Sequence, residues 1–377
     1  MKSTNLLISF VFIILLTSCK KEIKEKPIIE TEEEIVVDTP IFSFSFTGCN
    51  RIDRGDQSTA NPSTANTYVL KRVLFEIAQK EEQPELFFFL GDLVLAESTN
   101  AKLNSQLSAW DAIYKEQEIS NSGIEMVAIP GNHEMLYSVE VSENDWHEFP
   151  LKGSTDIWLQ HMKDYLPDGR VTAPDTLGLD NRLSFSFTRH NVGFVVLNSD
   201  TYNPPSKTDI YGKEGQIPVK WVNDQVTSFK NNPSIEHIFV VTHRPYYVDG
   251  NPDTSHGGLP QGPDVWPTFE ENKVVALLSA HKHDYQRVQP INEKLGGGTY
   301  QVIAGNGGSS GEAAFFGYST ITVMKSGNLV LNSVGFDKGM PYTASVPNNP
   351  TTSRDSIVLT WEENPSKYYS LTQSKKN

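Results

Sequence analysis

Residues 86–92 have the sequence LFFFLGD, a continuous apolar run that ends in Gly91 and Asp92. A short run of large apolar residues without alternation indicates a strand buried on both faces, as in a parallel sheet. A carboxylate directly after such a strand lies at the carboxyl edge of the sheet, where open α/β sheets bind ligands. Taken alone, Gly-Asp after a strand is usually only a turn.

Three further apolar runs end in polar residues of the same kind. Residues 126–129 precede PGNHE (130–134), residues 238–241 precede THRP (242–245), and residues 274–278 precede SAHKH (279–283). If the four strands are parallel neighbours, the side chains that converge on one crevice are Asp92, Asn132, His243, His281 and His283. Each has an ordinary explanation by itself, such as a helix cap or a surface histidine, so the prediction depends on the combination.

The chemistry of these side chains favours a metal centre. Carboxylate, amide oxygen and imidazole are ligands for Zn, Mn or Fe. Two such ions about 3.5–4 Å apart can hold a hydroxide for in-line attack on a phosphate ester. Asp92 could bridge both ions. The sequence therefore predicts a metal-dependent hydrolase of phosphate esters with a dinuclear centre.

The four motifs together resemble those of the calcineurin-like metallophosphoesterases. The segments THRPYY (242–247) and HKHDYQR (281–287) are similar to blocks of purple acid phosphatases. The resemblance covers residues 41–340 and implies an α/β fold, a four-layer α/β/β/α sandwich with two mixed sheets between helices. It also implies a phosphomonoesterase of the acid-phosphatase type, with a phosphodiesterase of the same fold as the alternative.

The resemblance implies a ligand set for two metal ions, divalent or trivalent Fe, Zn or Mn. Asp92 would bridge the ions. The ligands of one ion would be Asn132, His243 and His281, and His283 would bind the other.

The same resemblance gives His133 a catalytic role without metal binding. It would stabilise the transition state or protonate the leaving oxygen, or else it only supports the ligands. Arg244, His256, Tyr285 and Arg287 are the candidates for contact with the phosphate, because Arg and His suit that role. Each of the four is also explained as an ordinary surface or packing residue.

The first predicted strand, 42–46, ends differently from the family pattern. The family normally has Asp-x-His there, whereas residues 47–53 are TGCNRID. This start is similar to the Gly-Ser-Cys-Asn motif of the alkaline phosphatase D branch, which implies Cys49 as a metal ligand. A thiolate would favour iron or zinc. Asn50 and then Asp53 are the alternative ligands, and a buried, inert Cys49 is the alternative without a metal.

A second departure from the pattern lies at Leu95. Purple acid phosphatases have a tyrosine three residues after the bridging aspartate, so the tyrosinate–iron colour is expected to be absent here. Together with the missing Asp-x-His, Leu95 leaves a non-catalytic surface binding protein as an alternative. His133 favours the enzyme, because a pure binding protein would not need it.

The first residues resemble an export signal. Lys2 is followed by an apolar run at 6–16, too short to span a bilayer comfortably, and residues 16–19 (LTSC) resemble a bacterial lipobox. We expect a signal peptide at 1–19, a lipid on Cys19 that attaches the chain to a membrane of the cell envelope, and an acidic, mixed-charge tether at 20–40. A plain secretory signal or a short uncleaved anchor is the alternative.

Composition limits the partners. The chain has 377 residues and a formal net charge of −14, so nucleic acid is not expected to bind. A phosphorylated small-molecule or extracellular substrate remains compatible, because metal ions supply positive charge locally. The chain has two cysteines, and a lipid on Cys19 would leave Cys49 without an intrachain disulfide partner.

The order of the patterns predicts one catalytic domain at 41–340 and a weakly specified tail at 341–377. Helices are predicted around 69–77, 158–166 and 221–229, the second with Ser154 or Thr155 as its N-cap. Strands are predicted at 194–197, 300–304, 319–324 and 329–334 in addition to those above. The proline-containing stretches 203–218 and 249–267 are predicted to be surface loops that line the active site.

Overall fold

The computed structural model describes residues 38–53, 55, 61–142, 145–175, 178–201, 216–311, 313–364 and 368–370. The predicted signal peptide, nearly all of the tether and most of the loop at 203–218 lie outside these residues, so those predictions stay predictions. In the described part of the chain, no helix has the length and apolar composition of a membrane span.

The strands, in chain order, are β1 (Pro40–Thr47), β2 (Leu86–Leu90), β3 (Glu125–Ile129), β4 (Leu136–Ser142), β5 (Asp145–Pro150), β6 (Val171–Thr172), β7 (Phe185–Arg189), β8 (Val192–Leu197), β9 (His237–Thr242), β10 (Tyr247–Val248), β11 (Asn251–Pro252), β12 (Ala276–Ser279), β13 (Tyr285–Val288), β14 (Tyr300–Ala304), β15 (Phe315–Met324), β16 (Leu329–Asp337), β17 (Thr352–Val358) and β18 (Tyr368–Ser370). The helices are α1 (Thr67–Ala78), α2 (Asn100–Lys115), α3 (Asn132–Met135), α4 (Ser154–Met162), α5 (Val219–Lys230) and α6 (Gly262–Glu271). Short 3-10 turns cover Ala96–Ser98, Glu118–Asn121 and Lys163–Tyr165.

Two mixed sheets contain most of the strands. The first has the order β17-β16-β15-β1-β2-β3, and the second has the order β18-β13-β14-β12-β9-β8-β7-β6. In the first sheet β1, β2 and β3 are parallel, and in the second β8, β9, β12 and β14 are parallel. The parallel strands of each sheet therefore present their carboxyl ends at one edge, which is where the predicted site residues follow.

Aromatic side chains fill the space between the sheets. Phe44 of the first sheet lies with its ring centroid 5.2 Å from that of Phe194 and 5.1 Å from that of Phe239, both in the second sheet. Phe88 is 5.2 Å from Phe194 in the same way. Each of these rings buries a large apolar area and meets its neighbours in tilted or edge-on geometry, which favours one fixed stacking of the sheets.

Helices cover the outer faces of both sheets. On the first sheet, Phe89 points outward and packs edge-on against Trp110 of α2, at a centroid distance of 5.3 Å. On the second, Val195 and Val240 belong to a separate apolar cluster with Val226 of α5. The alternation of inward and outward side chains along buried strands thus produces the α/β/β/α sandwich that the sequence predicted.

Three local predictions are corrected. The stretch 341–377, predicted to be weakly specified, supplies β17 to the first sheet and β18 to the second. The predicted loop 249–267 ends in α6, because Pro263 occupies the first turn of a helix, where a missing N–H is harmless. The residue at the N-cap of α4 is Gly153, with φ of 88°, and the Ser154 hydroxyl bonds instead to the Met135 carbonyl.

Candidate metal centre

The carboxyl ends of the two sheets approach each other closely at Gly91. A Cβ atom at this position would lie 2.6 Å from the Gly131 nitrogen and 2.6 Å from the His243 Nδ1, and the φ of Gly91 is +87°. Only glycine satisfies both restrictions. The glycine before Asp92 therefore allows three strand ends from two sheets to meet.

Glu134 fixes the loop that carries Asp92. Its carboxylate accepts hydrogen bonds from the backbone N–H groups of Gly131 (2.7 Å), Val94 (2.9 Å) and Asp92 (3.1 Å). Asp92 itself has φ of 56°, a conformation that non-glycine residues seldom adopt. Three backbone hydrogen bonds to one buried carboxyl group offset that strain and hold the loop that carries Asp92 in place.

Three ligand atoms form a compact triangle beside Asp92. Asn132 Oδ1 lies 3.1 Å from His243 Nε2 and 3.1 Å from His281 Nδ1, and the two ring nitrogens are 3.2 Å apart. His243 Nε2 is also 3.4 Å from Asp92 Oδ1. We refer to the space between these atoms as the histidine position.

Each ring also has a nitrogen that points away from the histidine position, and the hydrogen bond of that nitrogen determines which side of the ring carries the proton. His243 Nδ1 is 2.7 Å from the Leu90 carbonyl oxygen, and His281 Nε2 is 3.1 Å from the His256 carbonyl oxygen. A carbonyl only accepts hydrogen bonds, so each of these nitrogens carries the proton. Burial and the charge of Arg244 lower the pKa of His281 well below its usual value, so this ring is neutral. With the protons on the far nitrogens, the neutral form of each ring presents a lone pair on its near nitrogen to the histidine position.

Asn132 is oriented in the same sense by a carboxylate. Its Nδ2 donates to both oxygens of Glu148 at 3.1 Å, which directs Oδ1 toward the two imidazoles. Glu148 also lies 3.5 Å from Arg244, which pairs with Asp200 at 2.6 Å, and both partners of this second pair are fully buried. The orientation of the Asn132 amide thus depends on a network of charged side chains formed by Glu148, Arg244 and Asp200.

A cation fits the histidine position. Three lone pairs face one another with no proton between them, which is unfavourable unless a positive charge binds there. Ligands about 2.1 Å from a metal ion at right angles to each other are separated by about 3 Å, close to the separations observed. The oxygen and imidazole donors suit Zn, Mn or Fe.

His133 lies at the side of the centre and does not take part in the triangle. Its Nδ1 is 3.2 Å from the Leu95 carbonyl oxygen, so this nitrogen carries the proton, and its backbone N–H donates to Asp92 Oδ1 at 3.3 Å. Burial and the positive charge of Arg51 lower the pKa of His133 to about 4. The ring is therefore neutral, with a lone pair on Nε2.

The predicted first metal position has a different composition. His283 Nε2 lies 4.0 Å from Asp92 Oδ2, and Arg51 Nε lies 3.8 Å from the same oxygen. Cys49, Asp92 and His243 offer ligand atoms that all lie within 4.8 Å of one another. We refer to the space around Cys49, Asp92 Oδ2 and His283 as the cysteine position. A second metal ion does not fit it in the same way, because the guanidinium of Arg51 already supplies a cation there.

Cys49 is fully buried at the end of β1, with φ of 57°. Burial and the negative charge of Asp92 raise the pKa of its thiol well above the usual value, so the thiol is protonated without a bound metal. The alternative ligands differ: Asn50 Nδ2 donates to the Gly307 carbonyl at 2.7 Å while its Oδ1 has no hydrogen-bond partner among the described residues, and Asp53 accepts from Arg51 at 2.7 Å. That Cys49 binds a metal stays a prediction.

Two of the four predicted substrate contacts lie elsewhere. Tyr285 and Arg287 are buried between the sheets, where the Tyr285 hydroxyl and Arg287 Nε each donate at 2.8 Å to Asp355 of β17. Asp355 neutralises the Arg287 charge and accepts the Tyr285 hydrogen bond inside the core, and neither side chain is exposed to a substrate. The motif HKHDYQR continues from the site into the core, and the sequence alone does not show where that transition lies.

The other two contacts lie at different depths. Arg244 is fully buried, and its guanidinium bonds to Asp200 and to the His256 carbonyl. It therefore holds neighbouring residues in position and does not contact a phosphate. The His256 side chain is 56% exposed, with its ring centroid 5.8 Å from that of His281. His256 is thus the one of the four that lies at the mouth of the centre.

An open cavity of about 380 Å³ adjoins these residues, and its lining includes Asp253, Gly257, His281 and His283. This volume is at the small end of the range for ligand pockets. It can admit a phosphate group with a small substituent.

The sequence of residues 65–285 matches the calcineurin-like phosphoesterase family. The chain belongs to this family. The family is one of phosphoesterases, which act on phosphorylated substrates with the help of divalent metal ions. The assignment favours the enzyme over the non-catalytic binding protein that the first motif left open. The matched region begins after Cys49, so the family match does not include the first motif.

Solved structures agree with the fold of the family. Purple acid phosphatase PPD1 from yellow lupin (Lupinus luteus) seeds is similar with a TM-score of 0.51 and 18% identity, over 84% of this chain and 54% of the lupin chain. The structure of PhoD is similar with a TM-score of 0.52 and 14% identity, over 90% of this chain and 73% of that one. This chain thus spans about half the length of the lupin enzyme. No curated protein matched the chain.

Sequence reasoning missed three groups that the structure brings to the centre. Arg51 follows Cys49 by two residues and could have been noticed in the TGCNRID segment. The Leu95 carbonyl orients His133 through the backbone, which no residue identity reveals. Glu148 lies in β5, 16 residues after Asn132, and no recognisable motif surrounds it.

Proposed function

We propose that this protein hydrolyses phosphate monoesters with a metal ion bound at the histidine position. The observation that carries the proposal is the triangle of three unprotonated ligand atoms on Asn132, His243 and His281, with Asp92 beside it. When bound, the metal lowers the pKa of water and neutralises phosphate oxygens. The residues of the chain fix the geometry in which this chemistry takes place.

Each residue around the centre has a distinct task. Asp92 holds negative charge at the junction of the two positions. Burial alone would raise its pKa, but a hydrogen bond from His283 and the positive charge of Arg51 lower that pKa. Asp92 therefore stays ionised and available to a cation. Glu148 and the Leu90 carbonyl keep the ligands of the histidine position in their binding orientation.

His133 is proposed to assist the departure of the alcohol. Its Nε2 has a lone pair in the free protein, so it must take up a proton when the anionic substrate binds before it can protonate the leaving oxygen. The negative charge of a phosphate opposes the effect of Arg51 and raises the pKa of the ring. The hydrogen bond from Nδ1 to Leu95 fixes the direction in which Nε2 points.

A monoester is favoured over a diester by the charge around the centre. A monoester carries up to two negative charges near neutral pH, and Arg51 adds a permanent positive charge beside Asp92. A diester carries a single charge and a second substituent, for which the small cavity leaves less room. The predicted two-ion centre would need a further cation beside Cys49 and His283, where the charge of Arg51 opposes it.

The test compares His133→Ala with the unchanged protein on three substrates: an aryl phosphate, an alkyl phosphate and a bis-aryl phosphate. We expect the aryl monoester to be cleaved faster than the diester. We also expect His133→Ala to lower kcat about 10²–10⁴-fold for the alkyl phosphate and much less for the aryl phosphate, whose leaving group needs no proton.

The control is His161→Ala, which removes a histidine that bonds to Asn104 outside the centre. This variant should keep the rates on all three substrates. Hydrolysis of none of them by the metal-loaded protein would refute the proposal. Equal loss on alkyl and aryl phosphates in His133→Ala would refute the assignment of His133 to the leaving group.

We further propose that Cys19 carries a lipid and attaches the enzyme to a bacterial membrane, so that it meets extracellular or periplasmic phosphate esters. The lipobox-like residues 16–19 support this, and the other cysteine, Cys49, is buried and unpaired. Mass spectrometry of the chain purified from membranes should show an acylated residue 19. Cys19→Ser should release the protein from the membrane fraction, and its retention there would contradict lipid anchoring.

A further inference from the structure

Arg51 has a fixed place beside the carboxylate of Asp92. Its NH1 donates to Asp53 Oδ1 at 2.7 Å, and its Nε lies 3.8 Å from Asp92 Oδ2. The Arg51 side chain is 14% exposed, and its Nε has no hydrogen-bond partner among the described residues. The Asp53 pair therefore holds a guanidinium that faces Asp92 with an unused donor.

The charge of Arg51 lies beside the carboxylate oxygen that a metal ion at the cysteine position would share. Arg51 Nε is 3.8 Å and His283 Nε2 is 4.0 Å from Asp92 Oδ2. A guanidinium cannot ligate a metal ion, since it has donors and no lone pair to give. A bound cation at the same oxygen of Asp92 would meet this positive charge at short range.

We propose that Arg51 takes the place of the first metal ion, so that the centre binds one metal per chain. Its guanidinium neutralises the charge on Asp92 Oδ2, as a metal cation would. It also directs N–H donors toward a phosphate that enters between Asp92 and His283. Cys49 then remains a protonated thiol beneath the centre. This inference rests on the proposed phosphoesterase function only for the role of Arg51 toward phosphate.

The family resemblance would place Asp-x-His directly after β1. Cys49-Asn50-Arg51 follows β1 instead, so an arginine occurs at the spacing of the motif's histidine. Replacing the histidine removes one ligand, and replacing it with arginine also adds a positive charge. The second change favours phosphate binding without a metal, because arginine makes charge-assisted, often bidentate hydrogen bonds to phosphate.

The first measurement is the metal content of the unchanged protein after saturation with Zn²⁺ or Mn²⁺ and removal of the free ion. We expect one metal per chain, and X-ray absorption should show nitrogen and oxygen ligands without sulfur. Two metals per chain with a zinc–sulfur distance of about 2.3 Å would overturn the inference. This measurement does not require activity, and no variant has to fold.

The second measurement uses Arg51→His and Arg51→Gln, with Arg182→Gln as the matched control at a half-exposed arginine that pairs with Asp180 and Asp156. Arg51→His supplies an imidazole and removes the charge, so we expect its metal content to rise toward two. Arg51→Gln should weaken inhibition by inorganic phosphate about 10- to 100-fold while one metal is retained. Unchanged metal content in Arg51→His together with unchanged phosphate inhibition in Arg51→Gln would contradict the inference.

The two proposals fail in different ways. One metal per chain with no hydrolysis of any ester would remove the proposed function and leave the metal count that Arg51 predicts. Hydrolysis by a protein that binds two metals would support the function and overturn the assignment of Arg51.

Discussion

The histidine position and the cysteine position share Asp92 but differ in how their other side chains are held. At the histidine position, His243, His281 and Asn132 each have a fixed partner on the far side: a carbonyl for each ring and Glu148 for the amide. At the cysteine position, His283 has no such carbonyl among the described residues. Hydrogen-bond partners that orient the ligand side chains therefore identify a metal site better than the number of ligand-type residues nearby.

The largest expected effect follows from removing one corner of the triangle. His281→Ala leaves Asn132 and His243 with two lone pairs that no longer enclose a cation. We expect bound metal to fall below detection and kcat/KM for an aryl phosphate to fall about 10³-fold or more. Metal analysis by mass spectrometry and steady-state kinetics measure the two quantities. Full metal content in this variant would show that the histidine position is not the binding site.

A smaller effect is expected when the support of a ligand is removed. Glu148→Ala leaves the Asn132 amide free to turn its NH₂ group toward the imidazoles. We expect metal affinity to weaken about 10- to 100-fold, the range found when partners that orient metal ligands are removed. Titration calorimetry with Mn²⁺ measures this change. Glu118→Ala is the matched control, because Glu118 accepts a hydrogen bond from Gln79 at the surface.

The smallest effect is expected at the cysteine position. If Arg51 replaces the first metal, Cys49→Ser removes only a buried thiol, and metal content and kcat should change less than about twofold. The replacement hydroxyl has to be buried without a designed partner, so the free energy of unfolding should fall by about 1–3 kcal/mol. Chemical denaturation measures the second quantity. A loss of metal in Cys49→Ser would restore the dinuclear centre and contradict the inference about Arg51.

The sequence predicted the catalytic half of the molecule well because the relevant signals are local. The run at 86–90 corresponds to β2 in full, and the polar residues after β2, β3, β9 and β12 do converge. Parallel strands buried on both faces have few alternatives in a chain of this length, and ligand residues at their ends follow the direction of the strands. The position of Asp92, Asn132, His243 and His281 was therefore accessible from motifs alone.

The remaining features depend on contacts between distant residues. Tyr285 and Arg287 pair with Asp355, which lies about 70 residues further on in a strand that the sequence did not predict. Arg244 is held by Asp200 from a neighbouring strand end. A sequence shows that an arginine is present, but whether it faces solvent depends on where its partner carboxylate lies after folding.

The pairing of β1 with β15 has a consequence for the order in which the protein can fold. Ser45 and Thr320 share a hydrogen bond across 275 residues, and the edge strands β17 and β18 come later still. During synthesis, the first sheet cannot close until almost the whole chain has been made, and such long-range pairing is slow. The proposed export requires a chain that is still unfolded, and late closure of the first sheet would keep it unfolded until it has crossed the membrane.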